Sequence, residues 1–132
     1  MTAASNEAPR CDEPHEANQR FVLLAHDWPR PHHDLLLDRG NACWTWRILN
    51  LDRLKATGES AAERLPDHRR HYLDYEGLVG GDRGSVARTD AGLYRLEFDD
   101  GDEAVVTLAG ETLVGRYRLK TTSIATVEEQ SP

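Results

Sequence analysis

The sequence predicts an all-β protein, a small closed antiparallel β-barrel with at most one or two short helices. The apolar runs are short and spaced like strands, and several alternate with period 2 between apolar and polar residues. Six or more such strands in the stretch 20–122 must close on themselves or stack to cover their edges. At 132 residues the chain makes one domain with one modest core.

The elements justify themselves in order. Residues 1–19 are polar, hold two prolines and show no periodicity, so a mobile tail is expected there. Phe21–Ala25 is a first strand, and Leu35–Leu37 a second that ends at the turn signal Asp38-Arg39-Gly40. In the run from Ala42 to Leu49, Trp44, Trp46 and Ile48 share one face, which reads as core rather than a base-stacking platform. Leu51–Leu65 is the one segment that could form a helix, with Gly58 in its middle. Tyr94, Leu96 and Phe98 then alternate with charged residues, and Asp99-Asp100-Gly101-Asp102 turns the chain. Val106 and Leu108 continue the pattern to Ala109-Gly110-Glu111, and Leu113, Tyr117 and Leu119 complete a three-stranded meander. Residues 123–132 read as a second tail.

Charge and composition narrow the function. The net charge of −7 argues against gripping nucleic acid by bulk electrostatics alone. Its distribution is uneven: residues 20–88 carry eleven Lys/Arg against ten Asp/Glu, whereas residues 89–132 carry four against nine. The middle of the chain is thus the part that does not repel phosphate, and five of the six histidines lie in it. No run approaches the roughly 20 apolar residues of a membrane span, and no leader-like apolar stretch opens the chain. Two cysteines, Cys11 and Cys43, make no disulfide scaffold, so a reducing, cytoplasmic setting and a monomer are expected. Cys43, beside two tryptophans, reads as core.

The segment His26-Asp27-Trp28-Pro29-Arg30-Pro31-His32-His33-Asp34 is the richest in chemistry. The two prolines force an extended or turning path between strands. His32 and Asp34 are two apart and project from one face of a strand, and the loop can fold His26 back toward them. His68, in Pro66-Asp67-His68, is a further candidate. Imidazoles and a carboxylate in this mix make an open site for Mn²⁺, Zn²⁺ or Fe²⁺, with the absence of thiolate leaning to Mn²⁺. The plainer alternative is a solvated polar face. The Asp99–Asp102 run lacks the spaced ligands of a calcium loop and reads as a hairpin turn. Gly77–Gly84 is glycine-rich but lacks the Lys-Ser/Thr and following helix of a phosphate loop.

Read together, these segments resemble the 3′-phosphoesterase domain of bacterial DNA ligase D and its stand-alone relatives. The family's opening F-V-x-x-x-H is matched by Phe21 to His26, and the H-x-D that follows by His32-His33-Asp34. A tryptophan strand is matched by Trp44-Thr45-Trp46-Arg47, and D-H with Y-x-x-F-E-G by Asp67-His68 and Tyr72 to Gly77. A closing L-x-G-x-x-L-x-G-x-W/Y-x-L pattern is met from Leu108 to Leu119. The resemblance covers about residues 20–122. It implies a β-barrel with a crescent-shaped groove and a Mn²⁺-dependent enzyme that removes a terminal ribonucleotide or a 3′-phosphate from DNA or RNA ends. By position it implies His26, Asp34 and His68 as metal ligands, His32 assisting the phosphate or acting as general acid, and Tyr72 touching the scissile phosphate. It also implies a separately encoded DNA ligase or end-joining factor as partner.

The sequence departs from the family pattern where phosphate would be gripped. The arginine expected two residues after H-x-D is Leu36, the arginine expected ahead of D-H falls on Ser60, and the glutamate before D-H is Pro66. Arg30, Arg64, Arg69 and Arg83 are candidate replacements for the phosphate contacts. Two alternatives follow from these losses: a non-catalytic module binding nucleic-acid ends or a repair partner, and a phosphoesterase for a smaller substrate.

Overall fold

Period-2 alternation becomes a two-faced strand once the chain is paired. The computed structural model describes residues 19–121, so the remainder of both expected tails lies outside the described residues. Gln19, the last residue of the expected N-terminal tail, is buried, and its carbonyl accepts from Tyr94 N–H at 3.2 Å.

The chain runs β1 (Arg20–His26), β2 (His32–Asp38), β3 (Cys43–Ile48), α1 (Leu51–Thr57), β4 (Glu59–His68), a 3₁₀ turn (Arg70–Leu73), β5 (Gly77–Leu78), β6 (Ser85–Asp99), β7 (Glu103–Ala109) and β8 (Val114–Thr121). The strand order is β1-β2-β3-β4-β8-β7-β6-β5, and a further β1–β6 pairing closes seven of these strands into a barrel. The 15-residue β6 makes this possible: Ser85-side residues pair with β1 and the Asp99-side residues with β7. The expected meander is β6–β7–β8. The barrel is not wholly antiparallel, because β4 and β8 pair in parallel (Glu59 opposite Arg118, Ala62 opposite Thr121).

The expected helix over Leu51–Leu65 is half right. Asn50 caps its start, its side chain accepting from Arg53 N–H at 3.0 Å, and Leu54 anchors it in the core. Gly58 then adopts φ 84°, and its N–H returns to the Leu54 carbonyl at 2.8 Å. That left-handed cap ends the helix. Beyond it Ser60, Ala62 and Glu63 are recruited as strand β4 between β3 and β8.

Two apolar clusters result. Inside the barrel, Phe21 and Leu23 of β1 meet Leu35 and Leu37 of β2, Trp46 and Ile48 of β3, and Val106, Leu108, Leu113 and Leu119 of the meander. Leu51 and Leu54 bring α1 against this core. Away from α1, Arg39 stacks on Trp44 and Arg64 lies over both Trp44 and Trp46, 4.1–4.9 Å from the ring centres. The second cluster uses the opposite, outer face of the same strands: Val22, Leu24, Leu36 and Cys43, covered by Leu73, Tyr72 and Tyr75. Arg70 fastens this cover, with two 2.8 Å hydrogen bonds to the Asp38 carboxylate that hold its pKa below the ordinary carboxylate range. Cys43 is core, as expected, and burial pushes its thiol up to about 11.

Two turns are fixed by carboxylates. In the β6–β7 turn, Asp99 and Asp100 accept the N–H groups of Gly101, Asp102 and Glu103 at 2.9–3.0 Å, the hairpin expected there. In the β7–β8 turn the buried Asp90 accepts from Glu111, Thr112 and Leu113 N–H groups and from the Thr112 hydroxyl. Gly110 is required beside it, since a Cβ there would lie 2.6 Å from Phe21 and 2.7 Å from the Asp90 carboxylate.

Candidate metal centre

The β1–β2 register sets His26 directly opposite His32, and Asp34 opposite Leu24. All of these even-numbered positions point to the outer face, so the hairpin delivers His26, His32 and Asp34 to one spot beyond the apolar cluster. One ligand atom from each lies within 4.8 Å of the others. Asp34 is 4% exposed, and the His32 and Asp34 side chains are 3.3 Å apart.

Main-chain carbonyls fix both imidazoles. His26 Nε2 lies 2.8 Å from the Arg83 carbonyl, and His32 Nδ1 lies 2.8 Å from the Arg30 carbonyl. A carbonyl only accepts, so each of these nitrogens is the N–H, and in the neutral ring the other nitrogen carries the lone pair a cation would use. This is the outer-shell arrangement that orients metal-binding histidines. His32 Nε2 and Asp34 Oδ1 are buried and have no hydrogen-bond partner. A buried acceptor left unused costs about 1–3 kcal/mol, and a cation bound between the two groups removes that cost. The donor set of two nitrogens and one carboxylate fits a divalent metal with positions left open for substrate.

The Asp27–Pro31 loop closes one side. The Ser85 N–H at 2.8 Å and hydroxyl at 3.3 Å hold the Asp27 carboxylate, keeping its pKa below the ordinary carboxylate range. Gly84 packs beneath this contact with φ +75°, and a Cβ on it would overlap the Asp27 carboxylate. An open pocket of about 250 Å³ adjoins the cluster, lined in part by His26, His32, His33 and Ser85.

The other expected site residues are placed differently. His68 does not join the cluster. It sits opposite Cys43, which pairs with Asp38, while Asp34 pairs with Arg47. That offset is four residues along β2, roughly 13 Å, and two strands across. His68 instead stands edge-on to Tyr72, with ring centres 6.1 Å apart. Among the described residues it is His32, not His68, that the fold brings to His26 and Asp34. Tyr72 packs on the outer apolar cluster that contains Leu24, the cross-strand partner of Asp34. Arg64 is on the wrong face, stacked on the tryptophans and 3.6 Å from Asp99. Arg69 lies over Tyr72 at 6.0 Å. Arg30 and Arg83 serve the cluster through their carbonyls, and the Arg83 side chain turns back to Gly80 O at 2.8 Å. Leu36 is fully buried in the outer cluster, and Ser60 is buried with its hydroxyl accepting from Asn50 N–H.

Sequence reasoning missed Arg47 and Glu63. Arg47 stands opposite Asp34, and Glu63 opposite Arg47, forming a charged row across β2, β3 and β4. The register comes from the four-residue connection between Asp38 and Cys43, a length that the Asp38-Arg39-Gly40 turn signal alone does not fix. The carbonyl acceptors have no sequence signal.

Fold and geometry define a small β-barrel with a cluster of two histidines and one buried aspartate on its outer face. Residues 24–121 match the DNA Ligase D 3′-phosphoesterase domain, and the chain belongs to that family. It is 31% identical over 117 residues to the multifunctional non-homologous end joining protein LigD of Mycolicibacterium smegmatis, an alignment covering 77% of this chain. The chain spans 15% of that relative's length. Family membership brings a 3′-end-processing phosphoesterase domain with it, and no helix among the described residues is long and apolar enough to cross a membrane.

Proposed function

We propose that this chain is a Mn²⁺-dependent phosphoesterase that removes a 3′-phosphate or a terminal ribonucleotide from DNA or RNA ends, with His26, His32 and Asp34 as the metal ligands. The carrying observation is the pair of buried, unpartnered acceptors on His32 and Asp34 beside the free lone pair of His26. Zn²⁺ or another divalent ion suits the same donors. When bound, such an ion polarises a phosphoryl oxygen and offsets charge as the leaving oxygen departs.

The chain's own groups supply the rest. The Arg30 and Arg83 carbonyls each hold one ring nitrogen as the N–H, which orients the other nitrogen of the imidazole toward the cluster. His68 and Tyr72, edge to edge beside the outer cluster, are the groups that would meet the phosphate farther along the face. The expected setting is a cytoplasmic monomer acting with a separately encoded DNA ligase or end-joining factor. A second reading, a phosphoesterase for a smaller phosphoester, is favoured by buried Leu36 and Ser60, which replace two arginines that would track a longer substrate.

The test uses a labelled primer-template ending in 3′-phosphate and another ending in one ribonucleotide, each incubated with Mn²⁺. Product is expected from the wild type and lost in both His26→Ala and Asp34→Ala, with Mn²⁺ binding lost and the circular dichroism spectrum retained. Undiminished product or Mn²⁺ affinity in both variants overturns the assignment. Turnover of a nucleotide or sugar phosphate, with none on either primer, moves the function to the second reading.

A further inference from the structure

Across the strands from Asp34 stand one guanidinium, Arg47, and beyond it the Glu63 carboxylate. Arg47 is the positive charge in this row, the sign a phosphate needs. Arg47 Nε is 3.7 Å from Asp34 Oδ1, and one terminal nitrogen is 3.8 Å from Glu63 Oε1. Both are charge contacts too long to be hydrogen bonds. Nε is buried and unpartnered, and among the described residues the guanidinium makes no hydrogen bond. Its side chain is 32% exposed, so the fork lies at the surface of the cluster while its root is dry.

Five other arginines are committed elsewhere. Arg70 is spent on Asp38, Arg20 on Asp74, and Arg88 on the Leu73 carbonyl. Arg83 is hooked to Gly80, and Arg64 faces the tryptophans. Position 36, where the resemblance expects a phosphate-gripping arginine, is two residues along β2 from Asp34, roughly 6.6 Å. Position 47 is directly across the ladder from Asp34, roughly 4.5–5.5 Å between Cα atoms. An arginine at 47 therefore starts no farther from the ligand carboxylate than one at 36.

We propose that Arg47 is the phosphate-holding residue of this site, supplying from β3 the fork that is absent at Leu36. The proposal rests on the metal-site reading above. In the metal-free protein Arg47 leans on Asp34. Once Asp34 is engaged as a ligand, the unspent N–H pair of Arg47 faces the open side of the cluster, where a planar fork matches two phosphate oxygens. Glu63 keeps the guanidinium from swinging away along the strand.

Inorganic phosphate binding is measured by calorimetry on the wild type, Arg47→Met and Arg47→Lys, each metal-free and Mn²⁺-loaded. Mn²⁺ affinity is measured in parallel by electron paramagnetic resonance. Arg47→Met is expected to keep or tighten Mn²⁺ binding, because a neighbouring cation is removed, while its phosphate Kd rises at least about tenfold. Arg47→Lys should fall between, since a point charge replaces a fork. An unchanged phosphate Kd in Arg47→Met overturns the proposal, as does a fall in Mn²⁺ affinity parallel to that in phosphate, which would make Arg47 a positioning residue for Asp34. A wild type that takes up no Mn²⁺ sinks the metal reading alone, and Arg47 is then judged on the metal-free titration. A wild type that binds phosphate in neither form overturns the Arg47 proposal.

Discussion

Gly84→Ala adds one methyl group at the floor of the Asp27 turn and should weaken the metal centre without touching a ligand. At φ +75° a side chain carries a backbone cost of about 1–2 kcal/mol. The new Cβ would also overlap the Asp27 carboxylate and lie 2.7 Å from Trp28 Cβ and 3.4 Å from Asp27 Cγ. These atoms sit on short stems, so the turn or the Arg83–Gly84 backbone has to move. The Arg83 carbonyl is what holds His26. Loss of such an outer-shell partner typically lowers metal affinity 10–100-fold, about 1.4–2.7 kcal/mol. Mn²⁺ titration followed by electron paramagnetic resonance reads the change, with thermal melts alongside. Gly40→Ala is the control. Its φ is +99°, nothing lies within 4 Å of its Cβ, and it stands in the β2–β3 turn away from the cluster. It should lose comparable backbone stability and keep wild-type Mn²⁺ affinity. Wild-type affinity in Gly84→Ala, or equal weakening in both variants, refutes the reasoning.

Two further outcomes concern the frame around the site. Asp90→Ala strands the Leu113, Glu111 and Thr112 donors of the β7–β8 turn, and a loss of about 3–5 kcal/mol is expected in urea unfolding, with less than about 1 kcal/mol as the contrary result. Burial pushes the Asp90 carboxyl up, but those N–H groups outweigh it and hold its pKa below the ordinary value of 3.8. The folded state therefore binds its proton less readily than the unfolded chain. Its stabilisation is complete above about pH 4 to 5 and is lost as pH falls through the lower folded value. The urea midpoint should drop in that acid window, and Asp90→Asn should flatten the drop. Leu36→Arg places the family's arginine back at its position but buries a guanidinium among Leu24, Cys43 and Leu73. It should cost about 3 kcal/mol or more and give no gain in phosphate affinity. A stable variant that binds phosphate more tightly would contradict this.

Much of the barrel was legible because alternation along a strand fixes which residues face in. Tyr94, Val106, Leu108 and Leu119 lie inside where their spacing put them. The segment after Gly58 was not legible. Ser60, Ala62 and Glu63 carry no strong strand preference and become β4 through pairing with β3 and β8, which lie on both sides of them. The same limit governed the site. His26, His32 and Asp34 lie within one hairpin, so local spacing predicted their meeting. His68 looked equally suitable by residue type, but its register opposite Cys43 is a tertiary fact. Arg64 and Arg47 differ in the same way, one facing the tryptophans and the other Asp34, a distinction made by strand register rather than composition.

The His26–Arg83 contact joins residues 57 apart in the chain, whereas the three donors lie within eight of one another. The hairpin that bears the donors can form early and locally, within microseconds of initiation by the usual timescale for such units. The acceptor that locks His26 arrives only when β6 docks on β1 and the sheet becomes a ring. On the proposed reading, cation uptake at full strength would be conditional on ring closure, and a bound ion would in turn bias the chain toward the closed ring, by the mutual dependence of ligation and folding. The centre would then double as a latch between the two ends of the sheet.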